Sequence, residues 1–277
     1  MGIGRLINKG LSPFGFRLSR IVPPRLQNSV LSPDRAQETE LVTDMTRFRA
    51  NDLRRYFLNN ASQDLHKWHH YYEIYDQWFS GYRGRTDLRV LEIGVLRGGS
   101  LKMWRDYFHP EATIVGLDID TDCKVYEDPG SRIFVAIGDQ TDTSFLEKVV
   151  ERFGLFDIIV DDGGHTTAQQ TISFKYLYAN GLKDGGVYVV EDLHSNYWPM
   201  YQDAEQSFVD YGKSLVDALH EPYLGNGTEY YFQEGKPEQL RSIKVSEFCA
   251  DTQSISFYDS IIVFAKRRKS MPVSEIR

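Results

Sequence analysis

Between Arg89 and Leu193 five short apolar runs recur along the chain: RVLEIGV (89–95), TIVGLDI (113–119), RIFVAIGD (132–139), FDIIVDD (156–162) and GGVYVVEDL (185–193). Each has strand length and is too apolar to keep one face in water. A helix is expected from Ser100, a second over about 143–153 and a third over about 166–180. Apolar strands separated by helices specify a parallel sheet covered on both faces. The chain closes with IKVSEF (243–248) and SISFYDSIIVFAKR (254–267), which read as a final strand pair. The expected fold class is therefore α/β, a doubly wound and mostly parallel sheet with an antiparallel C-terminal edge.

The 277 residues suffice for one large domain with additions. We divide the chain into an arm (1–35), a helical aromatic-rich region (36–85) and the sheet domain (86–270). Residues 195–240, irregular, polar and aromatic, read as a substrate-side insertion. Over 36–80 apolar residues recur at helical spacing, at Leu41, Met45, Phe48, Leu53, Phe57 and Leu58. A helix over 65–79 puts Leu65, Trp68, Tyr72 and Tyr75 on one face.

Charge separates the arm from the body. Residues 1–33 carry five Lys or Arg and no acid, so the other 244 residues hold −12 of a net −7. An acidic body disfavours nucleic acid. The arm has no cleavage site of signal-peptide type, and no apolar run reaches the ~18–20 residues that span a bilayer. Residues 1–25 are basic and apolar enough for peripheral contact with an anionic membrane face; the alternative is packing on the body or on a second subunit. With two cysteines there is neither a disulfide framework nor a thiolate zinc site, which fits a reducing cytoplasm.

In open parallel sheets, ligands sit at the carboxyl ends of the strands. The first strand ends in Glu92 and Gly94 and is followed by Arg97, Gly98, Gly99 and Ser100, a turn whose glycines admit a ligand and whose serine can cap the next helix. Asp118 ends the second strand, where an acid can accept both ribose hydroxyls. Asp139 and Gln140 follow the third, where a side chain can address an adenine amino group. Neither a G-x-G-x-x-G turn nor a Walker loop is present. The ordered set points to a nucleoside ligand without a pyrophosphate.

Strand four ends in Asp161-Asp162-Gly163-Gly164-His165, and strand five in Glu191-Asp192-Leu193-His194. Neighbouring strands bring these acids to one sheet edge. Converging carboxylates repel unless a cation compensates, and an all-oxygen set suits Mg²⁺, with Mn²⁺ or Ca²⁺ as substitutes. Asp161 is assigned to the cofactor side. His165, next to the acids, is the expected general base, with His194 in reserve. Tyr197, Trp198 and Tyr201 follow directly and offer aromatic faces for sugar or apolar rings.

The runs VLEIGVLRGGSLKMW, GLDID and GDQTD resemble the class I S-adenosylmethionine-dependent methyltransferases over about 185 residues, Leu88 to Lys269. DDGGH and EDLHSNYW narrow the resemblance to one branch, which holds the metal-dependent sugar O-methyltransferases of macrocin and mycinamicin type and the cephalosporin hydroxylase family. The resemblance implies a Rossmann-like fold, S-adenosyl-L-methionine at Glu92, Gly94 and Asp118, Mg²⁺ on Asp162, Glu191 and Asp192, and His165 as base. Gly164 stands where relatives often carry Ser. The implied activity is methyl transfer to a hydroxyl of a small-molecule, sugar or glycan acceptor; a cytoplasmic homo-oligomer is the separate expectation. A tailoring hydroxylase or a non-catalytic cofactor-binding module are the alternatives.

Overall fold

The computed structural model describes residues 41–61, 64–224 and 228–273. The arm 1–35, with its expected membrane contact at 1–25, lies outside the described residues. A first unit ends at Arg47; its described part is one 3-10 turn, Met45–Arg47, closed by Asp44, which accepts from the Thr46 N–H. The second unit starts at Phe48.

Seven strands form one sheet: β1 Arg89–Ile93, β2 Thr113–Asp118, β3 Ile133–Ile137, β4 Phe156–Asp161, β5 Leu182–Val190, β6 Thr252–Tyr258 and β7 Ile261–Lys266. Their order is β3-β2-β1-β4-β5-β7-β6. The first five are parallel, and β7 runs antiparallel to β5 and β6. The expected doubly wound sheet with an antiparallel edge is what forms.

The terminal pair sits differently from its sequence reading. Both strands lie within 252–266, joined at Asp259-Ser260, with Ser260 left-handed at φ 64°. IKVSEF is not a strand. Ser246 accepts the Cys249 N–H and starts a short helix, Glu247–Asp251. Capping by one serine outweighs the alternation of Ile243 and Val245.

Helices α1 (Asp52–Asn59), α2 (Tyr71–Phe79) and α3 (Gly99–Tyr107) pack with one face of the sheet around Leu53, Tyr75, Trp104, Val90, Ile158 and Val189. Helices α4 (Thr143–Phe153), α5 (Thr167–Asn180) and α6 (Phe208–Ala218) cover the other around Leu91, Ile159, Phe174 and Tyr188. The 36–85 region, from Phe48 onward, thus shares its core with the strands. α5 opens with a Thr166–Gln169 capping box. α6 lies inside the segment read as irregular; Ser207 caps it by accepting the Asp210 N–H.

The expected helix over 65–79 begins only at Tyr71. Residues 64–68 run without regular structure, so Leu65 and Trp68 do not join the face formed by Tyr72 and Tyr75. That non-helical lead-in carries Lys67 to the sheet edge.

Candidate active site

Strand parity sorts the acids. Side chains alternate between faces along a strand. Val90 on β1, Val160 on β4 and Val189 on β5 face α1–α3, so Glu92, Asp162 and Glu191, each two residues on, are directed to that same side. Asp161 has the opposite parity and meets α5: Ser173 Oγ donates to its Oδ2 at 2.5 Å and Tyr188 OH at 3.2 Å. Burial pushes the Asp161 carboxyl up to about 6, opposed by the Ser173 bond.

A cavity of about 360 Å³ opens at the carboxyl ends of β1–β5, a size suited to a small-molecule ligand. Gly94, Ser100, Asp118, Asp139, Gln140, Asp162, His165 and Asp192 line it. Gly94 has φ 94°, and a Cβ there would lie 2.1 Å from the Asp162 carbonyl oxygen. Asp118 Oδ2 accepts the Val95 and Leu96 N–H groups, and its Oδ1 that of Asp120. Burial opposes ionisation of Asp118, and these backbone amides outweigh it, so its carboxyl stays below the usual range. Gln140 is buried, accepts the Gly164 N–H through Oε1 and donates to Asp161.

The other expected cofactor residues stand behind or beside this wall. Arg97 turns outward to an exposed ion pair with Asp64 at 2.6 Å. Gly98, at φ 71°, begins α3 against the Tyr126 ring. Glu92 is fully buried and accepts from Ser100 Oγ at 2.6 Å. Burial pushes its carboxyl up to about 7, against the pull of Lys67.

The acidic edge holds a residue that sequence reasoning missed. Lys67 Nζ lies 2.6 Å from Asp162 Oδ2, 2.9 Å from Glu191 Oε2 and 3.5 Å from Glu92 Oε1. Desolvation works against the ammonium, and the three carboxylates hold its pKa well above the ordinary lysine value. Glu191 is buried too; its other oxygen accepts from Tyr75 OH at 2.5 Å. Burial pushes the Glu191 carboxyl up to about 8, opposed by Lys67. The only signal for Lys67 in the sequence is a lysine inside the aromatic run LHKWHHYY.

The expected metal set is therefore divided. Asp162, His165 and Asp192 bring one ligand atom each within 4.8 Å of one another. Glu191 is held back by Lys67 and Tyr75. His165 Nε2 is 3.7 Å from Asp192 Oδ2 and 4.0 Å from Asp162 Oδ1. Asp192 gives its Oδ1 to Tyr71 OH at 2.8 Å. His165 and Asp192 both have left-handed backbones, φ 60° and 53°, a conformation that is costly for non-glycine residues and concentrates at functional sites. The two carboxylate oxygens, on one open side, suit a hard divalent cation with water or hydroxyl completing its shell, and the imidazole nitrogen beside them stays free to take a proton.

His194 stands outside the cavity wall, its Nδ1 2.6 Å from Ser260 Oγ. Its ring is 5.5 Å from Trp68 and 4.7 Å from Trp198, and Trp198 is followed by Tyr201, whose ring is 6.4 Å from His165. An aromatic arc, with Tyr197 half exposed beside it, thus borders the acidic edge.

No family model matches the chain. It is 34% identical over 217 residues to 8-demethyl-8-alpha-L-rhamnosyl tetracenomycin-C 2'-O-methyltransferase of Streptomyces olivaceus, covering 74% of this chain and 52% of that protein. It is 39% identical over 163 residues to mycinamicin VI 2''-O-methyltransferase of Micromonospora griseorubida, covering 54% and 39%. Among solved structures, MycE methyltransferase in complex with Mg and SAH matches with TM-score 0.63 and 31% identity, over 80% of this chain and 55% of that one. The chain spans about half the length of the curated relative from S. olivaceus and of MycE. Across the matched region the chain is a homologue of the sugar O-methyltransferases, and it carries their Rossmann-like methyltransferase fold.

Proposed function

We propose that the chain transfers the methyl group of S-adenosyl-L-methionine to a hydroxyl of a sugar or glycosylated small molecule, with Mg²⁺ as cofactor. The observation that carries this reading is that one cavity is lined both by the strand-end residues of β1–β3 and by Asp162, His165 and Asp192, so that a donor and an acceptor can meet. Support comes from the MycE complex with Mg, SAH and mycinamycin VI, which matches with TM-score 0.61 and 31% identity.

In this reading Gly94, Ser100, Asp118, Asp139 and Gln140 hold the donor, and Asp161 braces Gln140 from behind. Asp162 and Asp192 hold the cation, with Glu191 next to them in the ion pair with Lys67. A divalent cation held there would supply Lewis-acid stabilisation of the acceptor's hydroxyl as it loses its proton. His165 Nε2 accepts the acceptor's proton as the new C–O bond forms and the C–S bond of the donor breaks. Two carboxylates within 4.0 Å balance the charge the ring then takes on. His194, bound to Ser260, serves the aromatic arc of Tyr197, Trp198 and Tyr201, which seats the acceptor. The described helices include none long and apolar enough to cross a membrane.

Calorimetric titration with S-adenosylhomocysteine, with and without Mg²⁺, tests the reading. Micromolar binding is expected; no binding in either condition overturns it.

A further inference from the structure

The ammonium of Lys67 divides the acidic edge into a filled inner half and an open outer half. Inside, it takes Asp162 Oδ2 and Glu191 Oε2 at 2.6 and 2.9 Å, while Tyr75 OH takes the remaining Glu191 oxygen. Outside, Asp162 Oδ1, Asp192 Oδ2 and His165 Nε2 remain. Asp162 is shared, one oxygen to each half. An ammonium and a divalent cation seek the same donors, and two cations so close in a buried site repel.

We propose that Lys67 is a positioning residue that acts as a built-in inner cation: it withholds Glu191 from the divalent cation, turns one oxygen of Asp162 outward, and keeps cation binding weak and on the open side. The proposal rests on the metal-dependent reading above. It departs from the family pattern, in which the counterpart of Glu191 is a metal ligand. It also explains why a chain with four acids at one edge offers only two carboxylates to a metal among the described residues. The lead-in 64–68 is what permits it, since a helix through Lys67 would extend α2 rather than send the side chain under β1, β4 and β5.

The test is Mn²⁺ titration of the cofactor-free protein, followed by the electron paramagnetic resonance of the free ion. Glu191→Gln, a near-isosteric change, should leave the Mn²⁺ dissociation constant within about threefold, whereas Asp162→Asn and Asp192→Asn should each weaken it tenfold or more. Lys67→Met should tighten Mn²⁺ tenfold or more, because Glu191 and the inner Asp162 oxygen become available. Lys67→Met combined with Glu191→Gln should lose that gain. A tenfold weakening by Glu191→Gln alone overturns the proposal, as does a Lys67→Met protein that is folded and binds Mn²⁺ no more tightly. Absence of Mn²⁺ binding by the unaltered protein overturns it as well. If Lys67→Met does not fold, Glu191→Gln decides. Calorimetry with S-adenosylhomocysteine on the same samples separates this outcome from failure of the methyltransferase reading, which would abolish cofactor binding and leave the Mn²⁺ ranking standing.

Discussion

His165 Nε2 stands 3.7 Å from Asp192 Oδ2, and both residues are held in left-handed backbone conformations. The two come from different strand ends, β4 and β5, so the sheet register sets their approach. His165 Nδ1 is buried and has no hydrogen-bond partner among the described residues, which leaves Nε2 as the working nitrogen. His165→Asn should lower methyl transfer by ~10²–10⁴-fold, the usual range for loss of a general base. Binding of S-adenosylhomocysteine should stay within about threefold. Retention of more than a tenth of the turnover would remove His165 from the base role.

A second prediction concerns what holds the edge from behind. Tyr75 is fully buried and donates to Glu191 at 2.5 Å. Removing the hydroxyl leaves a buried carboxylate oxygen without its donor, which costs ~1–3 kcal/mol. Tyr75→Phe should therefore lower the unfolding free energy by about that amount in denaturant titration. The aromatic contacts with Phe79 and Trp104 are kept, so a neutral result would mean that Glu191 is satisfied elsewhere.

The third follows from Glu92. Burial raises its carboxyl to about 7 in the folded chain, above its ordinary value. A raised acid stabilises the fold fully below its unfolded pKa, and that contribution is lost as pH climbs through about 7. The unaltered protein, free of cofactor and metal, should lose on the order of 2–3 kcal/mol from this group between pH 4 and pH 8. Glu92→Gln cannot titrate. Its melting temperature should gain on that of the unaltered protein over this interval; parallel curves would show that Lys67 keeps Glu92 ionised throughout.

The sheet was legible because its strands are apolar on both faces and end in acids, a pattern that few other arrangements satisfy. So were α4 and α5, whose expected bounds nearly coincide with Thr143–Phe153 and Thr167–Asn180. The acids could be placed at one edge from spacing, yet not sorted, because the side each faces depends on where its strand ends and on the partner across the core. Asp161 and Asp162 are neighbours in sequence and face opposite layers. Lys67 was hidden for a related reason. It lies 95 residues from Asp162 and 124 from Glu191, and helical periodicity argued for a helix through its own segment. The IKVSEF strand was misread because alternation is a weaker local signal than a serine cap.

A final prediction concerns the acceptor. The chain has four tryptophans. Trp104 is fully buried, and Trp78 donates to Tyr258 OH at 3.0 Å. Trp68 and Trp198 are 49% and 48% exposed, and both flank His194 beside the acidic edge. Stacking of a ring on such a face contributes ~0.5–1.5 kcal/mol beyond its buried area. A glycoside acceptor should therefore quench the tryptophan fluorescence, and Trp198→Ala should remove most of that quench. The same change should raise the acceptor KM about tenfold and leave kcat within about threefold, since the arc lies outside the cavity that holds the donor. Trp78→Phe should leave both the quench and KM unaltered. A Trp198→Ala protein with unchanged KM would free the arc from the acceptor.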